Sequence, residues 1–254
     1  MNNTLRYGLN VLEFLAESGS DCSTSELARR LNLSKSQTSR ILKTLTEVGY
    51  VSQNPENKQY SINLSILKLS HNYLAAMKQR RVIRPYMQEL VDRFGRGAYS
   101  SVPVGLEAIV CDVIYPRSLV DSASIIAEVG AVNDPYATGS GKICAAYLSP
   151  EELETLLKRR PPVKLTPYTL VERSAILAEY EQIRKYRIAG SRSERREGEN
   201  SVAAPIFDKS GHLIATIGIA MPDGELSGEV REEYQNAIIR AANGASFALG
   251  YPLR

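Results

Sequence analysis

The stretch NLSKSQTSRILKTL, Asn32–Leu45, puts three serines, two cations and a glutamine into its first nine positions and then runs into an apolar stripe. Thr38, Ile41, Leu42, Leu45 and Val48 recur at the three- and four-residue spacing of one helical face, which predicts a helix buried along that side. Ser34 with Gln37 three residues on forms a capping-box pattern, so the helix is expected to start near Lys35, and Gly49 to end it. Ser34, Lys35, Ser36, Gln37, Ser39, Arg40, Lys43 and Thr44 are then left to solvent, crowded toward the helix N-terminus. Alone, such a surface is an ordinary solvated face.

The neighbouring segments change its meaning. Upstream, Ser23 and Glu26 suggest a second capping box ahead of a short helix carrying Leu27, Ala28 and Leu31, so the two helices form a helix-turn-helix. Leu5, Leu9, Val11, Leu12, Leu15 and Ala16 give an amphipathic first helix able to cover both. Downstream, YVSQNPENKQYSI (Tyr50–Ile62) reads as strand, Asn-Pro-Glu-Asn turn and strand, with Lys58 beside the turn. Three helices and a hairpin make a winged helix-turn-helix, in which the second helix of the pair enters the DNA major groove while the wing touches phosphate.

Charge is distributed accordingly. Through Arg80 the chain has ten Lys and Arg against six Asp and Glu, while the remaining 21 and 22 nearly cancel, leaving +3 overall. That modest excess suits a sequence-reading module better than a polycationic coat. At 254 residues, 43% hydrophobic and 23% charged, the chain has the makings of two soluble domains. No apolar run reaches the ~20 residues of a membrane helix and no signal-peptide pattern opens the chain, so a cytoplasmic protein with no membrane partner is expected. Cys22, Cys111 and Cys144 are scattered and odd in number, which suggests reduced, buried thiols. With His71 and His212 the only imidazoles, neither a metal site nor a Ser-His-Asp triad is expected, and no cofactor.

Residues 1–63 are read as the DNA-binding domain, 64–80 as a linker helix and 81–254 as a second domain. The linker's apolar side, with Leu67, Leu74 and Met77, either meets a second copy of the chain or packs within its own. The second domain reads as α+β: a helix over 84–94, strands at AYSSVPVG, EAIVCDVIY and SLVDSASIIAEV, three central helices, a strand pair NSVAAPIF and HLIATIGIAM turning at Asp208–Gly211, and a closing helix from about Gly228 to Leu249. An antiparallel sheet with helices packed on it is the expected architecture.

Two motifs here, DPYATGSGKICAAYLSPEE and GSRSERREGENSVAAPIFDKSGHLIATIGIAMP, resemble the two signature segments of IclR-type bacterial transcription regulators, and LNLSKSQTSRILKTLTEVGYV resembles that family's recognition region. The resemblance covers essentially the whole chain. It implies a winged helix-turn-helix, a linker helix and a GAF-like or profilin-like effector-binding domain, working as homodimers or dimers of dimers (homotetramers) on a double-stranded DNA operator. It also implies a small organic-acid effector held by the main-chain N–H groups of Gly139 and Ser140, with Ser191, Ser201, Gly218 and Ala220 at the other pocket positions. A glyoxylate- and pyruvate-sensing member has Asp, Cys and two Ser at those four places. The change implies a larger, more apolar cavity here, suited to an aromatic or sugar acid. Tyr99, Ser100, Asp112, Tyr115 and Arg117 are candidate additional polar contacts.

Physically, a small-residue turn ahead of a helix suits a carboxylate, because free N–H groups and the positive helix end face it. A tight packing turn would use the same residues. A phosphate-binding P-loop would need Gly at Tyr136 and Ser or Thr at Ile143, so Lys142 is expected to be structural or at a rim. Two other classes accommodate a winged helix: a module answering to a protein partner, and an enzyme, although no nucleophile–base pair, metal set or nucleotide loop is present in the sequence. The reading adopted is a non-enzymatic, effector-responsive regulator, controlling a catabolic operon, with repression or activation set by where the operator lies.

Overall fold

The structure, a computed structural model, describes residues 2–117, 127–222 and 228–252. It divides into two compact units, Met1–Ala76 and Met77–Arg254.

In the first unit, α1 (Asn3–Ser18), α2 (Thr24–Arg30) and α3 (Lys35–Glu47) precede a hairpin of β1 (Val51–Gln53) and β2 (Tyr60–Ile62), then α4 (Ile66–Ala76). Val11 and Leu15 of α1, Leu27 of α2, and Ile41 and Leu42 of α3 meet Val51 in one apolar core. Burying each such side chain contributes roughly 1.5–3 kcal/mol, so these few residues hold three short helices together. Val48 was expected on this buried face and is instead 57% exposed, because α3 stops at Glu47 and the chain turns away through Gly49 at φ +83°. The helix read through Met77 is broken there: Met77 takes extended backbone and a new helix, α5 (Lys78–Phe94), follows. Met77 is buried, so of the three apolar linker positions it does not offer a free surface, whereas Leu67 is 58% exposed and Leu74 is half-buried.

α5 begins six residues before the expected Arg84 and carries Pro85 in its interior. Proline lacks the N–H that its turn would use, which is why the sequence pattern reads as a helix start there. In the second unit β3 (Gly97–Val104), β4 (Glu107–Ile114), β5 (Val132–Asn133), β6 (Ala189–Arg192), β7 (Glu199–Phe207) and β8 (Leu213–Pro222) form one antiparallel sheet in the order β5-β4-β3-β8-β7-β6. The strand expected at SLVDSASIIAEV falls mostly on residues 118–126, which lie outside the described residues. β6 was not anticipated: Ala189-Gly-Ser-Arg192 has no apolar alternation, and it is a strand because it pairs along β7.

Helices cover both faces of the sheet. α5 and α9 (Gly228–Ala248) pack together on one face, with the Phe94 and Tyr234 rings stacked 4.2 Å apart and Gly244 leaving room for Tyr86. On the other face lie α6 (Gly139–Ala146), α7 (Pro150–Arg159) and α8 (Arg173–Tyr186), whose Ile143, Leu156, Ile176 and Tyr180 share a core with Ala189 and Ala203. This is the α+β architecture expected, and it places the α6 N-terminus over the middle of the sheet.

Candidate functional site

The first surface is α3. Ser34 accepts the Gln37 N–H at 3.2 Å and Gln37 Oε1 accepts the Ser34 N–H at 3.2 Å, a complete capping box that holds the first turn rigid. Lys35, Ser36, Ser39, Arg40 and Lys43 are exposed, as the helical pattern requires. Two expected contacts are partly spoken for: Gln37 spends its carbonyl oxygen on the cap, and the Thr44 hydroxyl donates to the Arg40 carbonyl at 3.1 Å. Lys43 lies 3.9 Å from Glu47, an exposed pair worth little. In the wing, Asn54 Oδ1 accepts the Glu56 N–H at 2.9 Å, and Lys58 stands exposed at φ +59°.

The second surface is the α6 N-terminus. Thr138 caps it, accepting the Gly141 N–H at 3.2 Å. A Cβ on Gly141 would stand 2.6 Å from Thr138 Oγ1 and closer still to the Asp134 carbonyl, so only glycine fits. Gly139 donates its N–H to Ser201 Oγ on β7 at 3.3 Å. The Ser140 hydroxyl, fully buried, lies 2.6 Å from Thr216 Oγ1 on β8, and Ser191 Oγ on β6 donates to the Ala137 carbonyl at 2.6 Å.

Ser191, Ser201 and Ala220 line a cavity of about 30 Å³, together with Tyr99, Asn133 and Arg195; Gly139, Ser140 and Gly218 do not. Among the described residues the larger cavity expected at Gly218 does not open; Ser191 and Ser201 also border an open groove of about 610 Å³ at the β6 edge, against Glu179, Tyr186 and Arg231. A Cβ at Gly218 would lie 2.7 Å from the Val202 carbonyl and 2.9 Å from Tyr99 Oη, so the missing side chain makes room for the Tyr99 ring. Pairing of β3 with β8 sets Tyr99 directly opposite Gly218. Burial pushes the Tyr99 phenol pKa up, against the lowering effect of the Ser140 and Ser201 hydroxyls, so it stays neutral.

Of the other candidate polar contacts, none lines this cavity. Asp112 is buried on the opposite side of the sheet, where Arg80 and Arg84 of α5 reach its Oδ1 at 3.0 and 2.6 Å. Ser100, paired with Asp112 across β3 and β4, accepts from the Cys111 thiol. The Tyr115 hydroxyl donates to the Ala127 carbonyl at 2.6 Å, and Arg117 is exposed. Lys142 is structural: fully buried, it lies 2.8 Å from Glu179 Oε1 and 2.6 Å from Glu194 Oε2 and donates to the Gly190 carbonyl at 3.2 Å. Sequence reasoning missed Arg195, Asn133 and Asn200 at the cavity. Arg195 lies in a loop and Asn133 in a two-residue strand, neither with a periodic signal, and Asn200 stands at the polar start of β7.

Comparison with known proteins decides what these two surfaces belong to. The family described as "Bacterial transcriptional regulator IclR C-terminal" matches residues 71–247, and the "IclR helix-turn-helix domain" matches residues 4–55. The chain belongs to the IclR family of transcriptional regulators. It is 29% identical over 247 residues to the Escherichia coli repressor AllR, covering 97% of this chain and 90% of AllR. The Thermotoga maritima IclR crystal structure is 27% identical and superposes with a TM-score of 0.72, covering 99% of this chain and all of that one. An IclR homolog from Microbacterium hydrocarbonoxydans, 20% identical and covering 97% of this chain and 98% of that one, shares the fold with a TM-score of 0.79; it was crystallised with 4-hydroxybenzoate. In this IclR-family regulator the winged helix is thus the DNA-binding part, and Tyr99 stands within the residues that match the IclR C-terminal domain.

Proposed function

We propose that this chain binds an operator in double-stranded DNA through α3 and the wing, and that a small organic acid seated at the α6 N-terminus changes that affinity. The observation that carries the first half is the exposed polar N-terminal half of α3 on a helix whose opposite face is locked into the core. On this reading Arg40 and Ser36 meet base edges, as does the Gln37 amide nitrogen left over from the cap; Lys35, Lys43 and Lys58 meet phosphate, and Ser34, Ser39 and Thr44 set their register. The second half is supported by the small-residue turn at Gly139 and Ser140, by Arg195 at the cavity, and by the Microbacterium relative crystallised with an aromatic acid.

One winged helix reads only a few base pairs, so the protein works as a dimer or dimer of dimers, with the exposed Leu67 and Tyr73 of α4 as the apolar contact. Its place is the cytoplasm, with the DNA; among the described residues no helix is long and apolar enough to cross a membrane. Its action is regulatory rather than enzymatic, in keeping with the relatives' names. Control of a catabolic operon follows from an effector that is an organic acid. The test is fluorescence anisotropy on a selected operator during titration with carboxylic acids and their amides. An acid that shifts DNA affinity by roughly 5- to 150-fold, with its amide inert, is the expected result. Equal effects of acid and amide would refute the carboxylate seat.

A further inference from the structure

Tyr99 occupies the ground an effector would need. Tyr99 is 4% exposed, it packs against the bare backbone of Gly218, and it lines the small cavity beside Ser201 and Thr138 at the α6 N-terminus. The neighbouring polar groups are also engaged: Ser201 Oγ takes the Gly139 N–H, Thr138 Oγ1 takes the Gly141 N–H, and Ser191 is committed to Ala137. Among the described residues, what remains beside the ring is about 30 Å³, room for a water molecule or two and too small for a carboxylic acid; the open groove of about 610 Å³ that Ser191 and Ser201 also border at the β6 edge is not lined by Tyr99. The phenol therefore acts as a resident stand-in for a ligand.

We propose that Tyr99 is the residue that sets which effector this chain accepts: the phenol fills the seat, and a ligand enters by displacing it. This rests on the organic-acid reading above and narrows it to a class. A two- or three-carbon acid cannot fit beside the ring, and after displacing it would leave most of the ring's volume empty, which is strongly unfavourable in a packed interior. An acid with a six-membered ring replaces the volume and brings its carboxylate to the polar end of the seat, where Ser201 and Thr138 line it. The ligand class is thus a ring-bearing carboxylic acid, with an affinity lowered by the competition from Tyr99.

The experiment is calorimetry on the full chain and on Tyr99→Phe and Tyr99→Ala, with benzoate, acetate and phenol as probes. Tyr99→Phe keeps the ring but removes its hydroxyl and any hydrogen bonding it makes in the seat, so the ring is displaced more easily and benzoate should bind roughly tenfold tighter. Tyr99→Ala vacates the seat, and benzoate should gain on the order of a hundredfold while acetate gains far less. Phenol should bind Tyr99→Ala and not the wild type. Benzoate affinity unchanged or weakened in both variants would overturn the proposal, and so would Tyr99→Ala failing to bind phenol. Should Tyr99→Ala not fold, the Tyr99→Phe result decides. Phenol binding to Tyr99→Ala without benzoate binding to any of the three proteins would leave Tyr99 as the occupant of the seat and sink the organic-acid reading.

Discussion

Replacing Lys142 by methionine keeps an unbranched side chain in a fully buried slot and removes the charge together with the hydrogen bond to the Gly190 carbonyl. Two carboxylates lose their cation. Glu179 is 27% exposed and can turn to water, but Glu194, 12% exposed, cannot. Stripping one partner from a buried pair costs about 3–5 kcal/mol, and the escape of Glu179 puts this case near 3 kcal/mol. The loss should depend on pH. Burial already holds the Glu194 pKa above its ordinary value and Lys142 pulls it down, so without Lys142 it climbs further. Between the unfolded glutamate value, about 4.3, and that raised folded value, the folded variant binds more protons than the unfolded chain, so stability falls as pH rises through the window and stays low above it. Below it Glu194 is protonated in both states and the charge penalty vanishes. In a unit of this size 1 kcal/mol is worth about 2–4 °C, so thermal unfolding should show Lys142→Met melting roughly 6–12 °C below wild type at pH 8 and within about 3 °C near pH 4.5. Adding Glu194→Gln should recover most of the deficit at pH 8. An equal deficit at both pH values would refute the electrostatic account and leave lost packing as the cause.

Arg40→Ala should cost about 1–3 kcal/mol of specific binding and relax preference at one base pair, whereas Lys43→Ala should weaken all sequences evenly and lower the salt slope by about one; competition binding across single-base operator variants separates the two. Leu67→Glu with Tyr73→Glu should convert the oligomer to monomer in sedimentation at micromolar concentration while leaving the thermal unfolding of the second unit unchanged, and an unaltered oligomer would move the interface elsewhere.

The winged helix was legible because its signals are local. The Ser34–Gln37 box, the 3.6-residue stripe from Thr38 to Leu45 and the turn at Asn54 each lie within a few residues of what they control. The long strands β3, β4, β7 and β8 were equally visible from their apolar runs, and the family motifs led to the α6 N-terminus. The pocket's content was not legible. Whether Gly218 opens a space or accommodates a ring depends on which residue of β3 lies opposite it, more than a hundred positions away, and the answer is Tyr99. Asp112 likewise looked like a pocket residue until strand alternation sent it to the α5 side, onto Arg80 and Arg84. Register and facing are properties of the assembled sheet, so a missing side chain in the sequence is no measure of an empty volume in the fold.

The claim that everything else depends on is that α3 reads a defined DNA sequence. Selecting random double-stranded DNA on the purified full-length chain and sequencing what is retained tests it most directly. The account predicts one enriched motif built of two related half-sites, their centres one helical turn of about 34 Å or a multiple apart. Retained DNA no richer in any motif than the starting pool would contradict it.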